Sequence, residues 1–116
     1  MTAIPFLEQL VKLPPDRWRV SVNNTSKGPV TSHDLGVQEG SAWVTFGYLI
    51  DGTPHQLRGE VDVVGSQRVI LDGMQLENGT IILSNRVCGL SIRVVIELKF
   101  TRGGEPIRYR FDGRLT

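Results

Sequence analysis

Two histidines, one cysteine and a scatter of carboxylates are the residues of this 116-residue chain whose chemistry could go beyond packing. His55 could serve as a general base or a ligand contact, because imidazole changes charge near neutral pH. His33 is followed directly by Asp34, a pairing that could orient an acid–base imidazole if its segment folds over a pocket. Cys88 has no histidine near it in the strand register derived below, and a nucleophilic thiol needs a base and a lowered pKa. The chain has no phosphate-cradling glycine loop, no cluster with metal-ligand spacing and no nucleophile–base motif. It therefore assigns no catalytic residue, no metal and no cofactor, and a non-enzymatic role is the expectation.

Composition narrows the setting. Thirteen Lys and Arg stand against twelve Asp and Glu, so the formal charge is +1, and this gives no general pull toward nucleic acid or anionic membranes. With 40% hydrophobic and 22% charged residues, disorder, collagen-like and coiled-coil readings are excluded. One cysteine allows no internal disulfide, and no apolar run approaches the roughly 20 residues of a membrane helix. The first residues lack the basic start and apolar centre of a signal peptide, so the expectation is a cytoplasmic chain folding as one domain over residues 1–116.

The elements that must position these side chains follow from periodicity. Phe6, Leu7, Leu10 and Val11 recur at helical spacing, Pro5 is tolerated in a first turn, and Pro14-Pro15 ends the run, which predicts a helix over 2–13. Trp18, Val20 and Val22 alternate with polar residues, which predicts a strand over 17–23. Residues 24–40 read as a long loop. From 41 to 114 the chain reads as an antiparallel meander with strands at 41–50, 55–64, 68–77, 80–88, 91–102 and 105–114. Asp51-Gly52, Gly65-Ser66, Asn78-Gly79, Gly89-Leu90 and Gly103-Gly104 supply the reversals. Each turn fixes a register, and all five registers send one apolar face inward. The expected fold is mainly β, of α+β class: an N-terminal helix, then six or seven antiparallel strands curled into a barrel or half-barrel.

That register carries the functional expectations. One inward row runs through Val44, Gly59, Asp72, Asn85, Val94 and Gly113, so Asp72 and Asn85 would place polar groups inside an apolar cup with Tyr109, Met74 and, at the rim, His55. A small, mostly apolar ligand would sit there. The competing account of Asp72 is a bulge at Asp72-Gly73 that returns the carboxylate to backbone amides or solvent. Outside, Trp43 and Leu49 form an apolar patch that either the helix covers or a homodimer or other protein partner uses. Arg93, Lys99, Arg108, Arg110 and Arg114 line the outer face of the last hairpin. Nucleic-acid binding there ranks third, behind the ligand and interface readings, since no outward aromatic accompanies the charges and Glu97 faces Arg110, and an enzyme built on Asp72 and His55 is the least supported reading.

Overall fold

The computed structural model describes residues 17–38 and 41–115. The helix expected over 2–13 lies outside the described residues. Ten strands occupy most of the rest: β1 Trp18–Val22, β2 Thr25–Pro29, β3 Ser32–Gln38, β4 Ser41–Ile50, β5 Thr53–Val61, β6 Gln67–Leu71, β7 Met74–Gln75, β8 Glu77–Cys88, β9 Ser91–Arg102 and β10 Glu105–Leu115. They form two five-stranded antiparallel sheets, in the orders β2-β1-β10-β9-β8 and β3-β4-β5-β6-β7. Among the described residues each sheet keeps two edges and no closed barrel forms.

The chain passes from one sheet to the other at two corners. At the first, the Val30 N–H donates to the Trp18 carbonyl (2.9 Å) and the Thr31 N–H to the Gly47 carbonyl (2.7 Å), so adjacent residues bond opposite sheets. At the second, the Leu76 N–H donates to the Val69 carbonyl (2.9 Å). Between the sheets, inward residues of alternating strands bury Trp18, Val20, Phe46, Tyr48, Leu57, Val69, Val94, Leu98 and Phe111 almost completely. Phe46 and Phe111 stack across the interface with ring centroids 4.0 Å apart, and Trp18 tilts against Phe46 at 5.1 Å. Side chains of this size contribute about 1.5–3 kcal/mol each on full burial, which makes this aromatic layer the main source of cohesion.

The two-residue turns at Asp51-Gly52, Gly89-Leu90 and Gly103-Gly104 occur as expected. They pair Phe46 with Leu57, Leu83 with Ile96, and Leu98 with Tyr109. The strand over 17–23 pairs with β10, Val20 facing Phe111. Elsewhere the structure corrects the expectation. Most of the segment expected as a loop is not one: residues 24–38 contribute β2 and β3, with the reversal at Asn23 and Asn24, both at positive φ. Gly65-Ser66 is part of a longer connection in which the Asp62 carboxylate accepts from Val64 N–H (3.0 Å) and Ser66 N–H (2.9 Å). Val61 consequently faces Gln67, and Val69 rather than Asp72 lies beside Gly59.

Asn78-Gly79 is not a reversal either. It sits inside β8 where the register with β9 shifts, Asn78 holding φ at 55°. The tight turn lies at Asp72-Gly73, with φ of 50° and 86° and Leu71 facing Met74. At Asp72-Gly73 both residues are left-handed and close a hairpin, whereas at Asn78-Gly79 only Asn78 is, and the pair forms a bulge. As a result Ile70 leaves the inward face and is half-buried. Leu83 still faces Ile96 but keeps 39% of its surface exposed, while Ile96 and Phe111 are buried.

Candidate functional site

The expected cup divides into two places. At one end, the Asp72-Gly73 turn folds back over β5. The Asp72 N–H donates to the Gln56 carbonyl (2.9 Å), the Gln56 N–H donates to Asp72 Oδ1 (2.8 Å), and His55 Nδ1 lies 2.7 Å from Asp72 Oδ2. Residual desolvation works against the Asp72 carboxylate. The His55 and Gln56 hydrogen bonds, followed by the charges of His55 and Arg102, outweigh it and hold the carboxyl below its usual range. His55 stacks on Tyr48 with centroids 5.6 Å apart, and Tyr48 leans on Tyr109 at 5.5 Å. Burial, reinforced by the neighbouring Tyr109 and Asp72, pushes the Tyr48 phenol far above its ordinary value, so it stays protonated.

His55, Asp72 and Tyr109 are thus brought into one neighbourhood. Asp72 is exposed and its carboxylate returns to a backbone amide, as the alternative account has it, but from a hairpin turn and not from a bulge. Tyr109 is buried in the core, Met74 is 63% exposed on the two-residue β7, and Asn85 is exposed on β8, where it faces Val94. The inward row that joined Asp72 to Asn85 does not exist, because the longer Asp62–Ser66 connection shifts β6 by three residues.

The other place is a cleft beside Gly59. A cleft of about 220 Å³ opens between β3, β4 and β5 on one side and β8 and β9 on the other. It is lined by Leu35, Ala42, Trp43, Val44, Gly59, Val61, Ile81, Leu83 and Ile96. Its inner end is set by Gly59: a β-carbon there would lie 2.7 Å from Leu98 Cδ2 and 3.0 Å from Ile81 Cδ1. A second, polar groove shares Ala42, Trp43 and Val61 with this cleft and continues over Ser41, Arg58, Glu60, Asp62 and Arg68. Arg58 bonds Glu60 (3.0 Å), and Arg68 approaches the same carboxylate at 3.6 Å.

Of the outer patch, Trp43 is partly covered from within its own sheet and Leu49 is exposed. Trp43 lies over Gly36 of the paired strand, its Nε1–H points at Asp34 (3.4 Å), and the Arg58 guanidinium sits 5.5 Å from its ring centre. Leu49, 45% exposed, lies six residues further along β4. On the arginine face, Asp112 bridges Arg93 (2.9 Å) and Arg110 (3.2 Å). Arg110 faces Glu97 in the register as expected, but the Glu97 carboxylate approaches Arg108 instead, at 3.9 Å. Arg108 also donates to the Asn24 side chain (2.8 Å). Trp18, Tyr109 and Phe111 are buried between the sheets, so none offers the arginines a stacking surface. Among the described residues there is no group of three or more His, Cys, Asp or Glu that could hold a metal, and no helix long and apolar enough to cross a membrane.

Compared with known protein families, curated proteins and solved structures, the chain matches none. The site must be read from its own geometry. Sequence reasoning missed Leu35, Ala42, Val61 and Ile81 as cleft residues. For Leu35 a signal was present: His33, Leu35 and Val37 alternate with Ser32, Asp34 and Gly36, the period of a half-buried strand.

Proposed function

We propose that the protein is a non-enzymatic binding protein that holds the apolar part of a small molecule in the cleft between β3-β4-β5 and β8-β9. The observation that carries this reading is the cleft itself: about 220 Å³ of space bounded almost wholly by apolar groups of both sheets. Apolar cavities of about 150 Å³ stay dry and take up benzene-sized molecules, so this space suits a single ring or a short alkyl chain. The adjoining groove, with Arg58 and Arg68 beside Glu60 and Asp62, would meet a polar head at the mouth. His55 and Asp72 take no part in this reading. Their pairing fastens the β6–β7 turn to β5.

The test is a fluorescence titration with 1-anilinonaphthalene-8-sulfonate, followed by competition with octanoate. Saturation at one probe per chain, with displacement by octanoate, is the expected result. Weak, unsaturable enhancement that octanoate leaves unchanged would overturn the reading.

A further inference from the structure

We propose that two copies of this chain associate through the free edge of β8, joining their five-stranded sheets into one of ten strands across a two-fold axis. Among the described residues β8 is the outermost strand of its sheet. Its first part is closed against β6, where the Ile81 N–H donates to the Gln67 side chain at 2.8 Å. From Ile82 to Cys88 it runs on beside β9 alone.

The Ile81 bond fixes which groups are offered. In an antiparallel ladder the backbone groups of successive residues point alternately toward and away from the neighbour. Since Ile81 points away from β9, so do Leu83, Asn85 and Val87, while Cys88 faces Ser91 across the tight turn. Three consecutive outward residues thus present N–H and C=O groups along an edge that has no proline and no lysine. Proline and lysine are the residues that ordinarily protect an edge. Leu83, Val87 and Ile82 expose 39%, 68% and 42% of their surface beside it.

The sequence of this edge is self-complementary in one register. Centred on Asn85, a second antiparallel β8 sets Leu83 against Val87 of the second copy, Val87 against its Leu83, and Asn85 against its Asn85. All are outward-pointing positions, and roughly six backbone hydrogen bonds form. The same register sets Arg86 beside Ser84 of the second copy. Sliding the strands one way pairs Arg86 with Arg86, and sliding them the other way pairs Leu83 with Asn85. A shift by one residue sets outward backbone groups against groups already used by β9. Apolar matching, charge avoidance and hydrogen-bond direction therefore select one pairing, and its occupant is another copy of the same strand. This inference shares Leu83 with the cleft but uses its backbone groups, and it does not depend on the ligand reading.

Sedimentation equilibrium on the full chain tests it, together with cysteine cross-linking. An interface of this size falls in the weak class, so a reversible dimer with a Kd below about 100 µM is expected. Asn85→Lys, which opposes two ammonium groups at the axis, should weaken it at least tenfold while leaving the circular dichroism spectrum unchanged. Trp43→Glu should leave it intact. In a Cys88→Ser background, Asn85→Cys should form a covalent dimer, with oxidised glutathione taking up the two electrons, because directly paired Cα atoms lie about 5.5 Å apart. Val63→Cys in the same background should not. A chain that stays monomeric to several times that concentration, a dimer indifferent to Asn85→Lys, or equal cross-linking at positions 63 and 85 would overturn the proposal.

Discussion

Gly59 and Leu98 face each other across the two sheets so closely that a β-carbon on Gly59 would lie 2.7 Å from Leu98 Cδ2. Leu98 is fully buried and cannot swing away without disturbing Tyr109, its partner in the ladder. Gly59→Ala should therefore lower stability by about 1–3 kcal/mol, the usual effect of overpacking a closed core. It should also push Ile81 into the cleft and weaken binding of an apolar probe severalfold. Urea unfolding and a probe titration on the same variant read both effects; unchanged values in both would show that the contact yields freely.

The Asp72–His55 pair gives a pH-dependent prediction. A carboxyl whose folded pKa lies below its unfolded value, ordinarily near 3.9, stabilises the fold above the unfolded value. That contribution is lost as pH falls through the lowered folded value. Asp72→Asn keeps the turn geometry but removes the charge, and at neutral pH it should cost about 0.5–1 kcal/mol, a small figure because the pair is partly exposed. The gap between the urea midpoints of wild type and variant should be widest above pH 5 and close as pH falls below about 4. A gap that grows on acidification would contradict the assignment.

Gly36 and Trp43 form a coupled pair, since the indole occupies the space a β-carbon on Gly36 would need. Gly36→Ala alone should destabilise by about 1–3 kcal/mol. In a Trp43→Ala background the same change should be nearly neutral, so a double-mutant cycle should return a coupling energy above about 1 kcal/mol. Additive effects would mean that the indole does not rest on this glycine.

Legibility in the sequence followed the length of the turns. Asp51-Gly52, Gly89-Leu90 and Gly103-Gly104 are two-residue reversals, and there local chemistry alone fixes the partner of every residue in both strands. The Asp62–Ser66 connection is stabilised by a side chain bonding back to two amides, and a loop of that kind sets no register that can be read from a glycine. Asp72-Gly73 and Asn78-Gly79 carry the same turn chemistry. What separates them is tertiary: Gly79 passes so near β6 that a β-carbon would sit 2.8 Å from the Val69 nitrogen, which makes that pair a bulge at the seam. β2, an edge strand with four of its five residues exposed, shows no alternation to detect. The cleft was illegible for the same reason as the seam, since it depends on which strands of the two sheets end opposite one another.

The central claim is that the space beside Gly59 receives an apolar ligand, and methyl-resolved NMR during a titration with octanoate tests it most directly. Concentration-dependent, saturable shifts of the Ile81, Leu83, Ile96 and Val61 methyls, with the Leu71 and Val20 methyls unmoved, are the predicted result. Shifts confined to the exposed Val63, Val64 and Leu90 methyls, or no saturable shift at all, would contradict it.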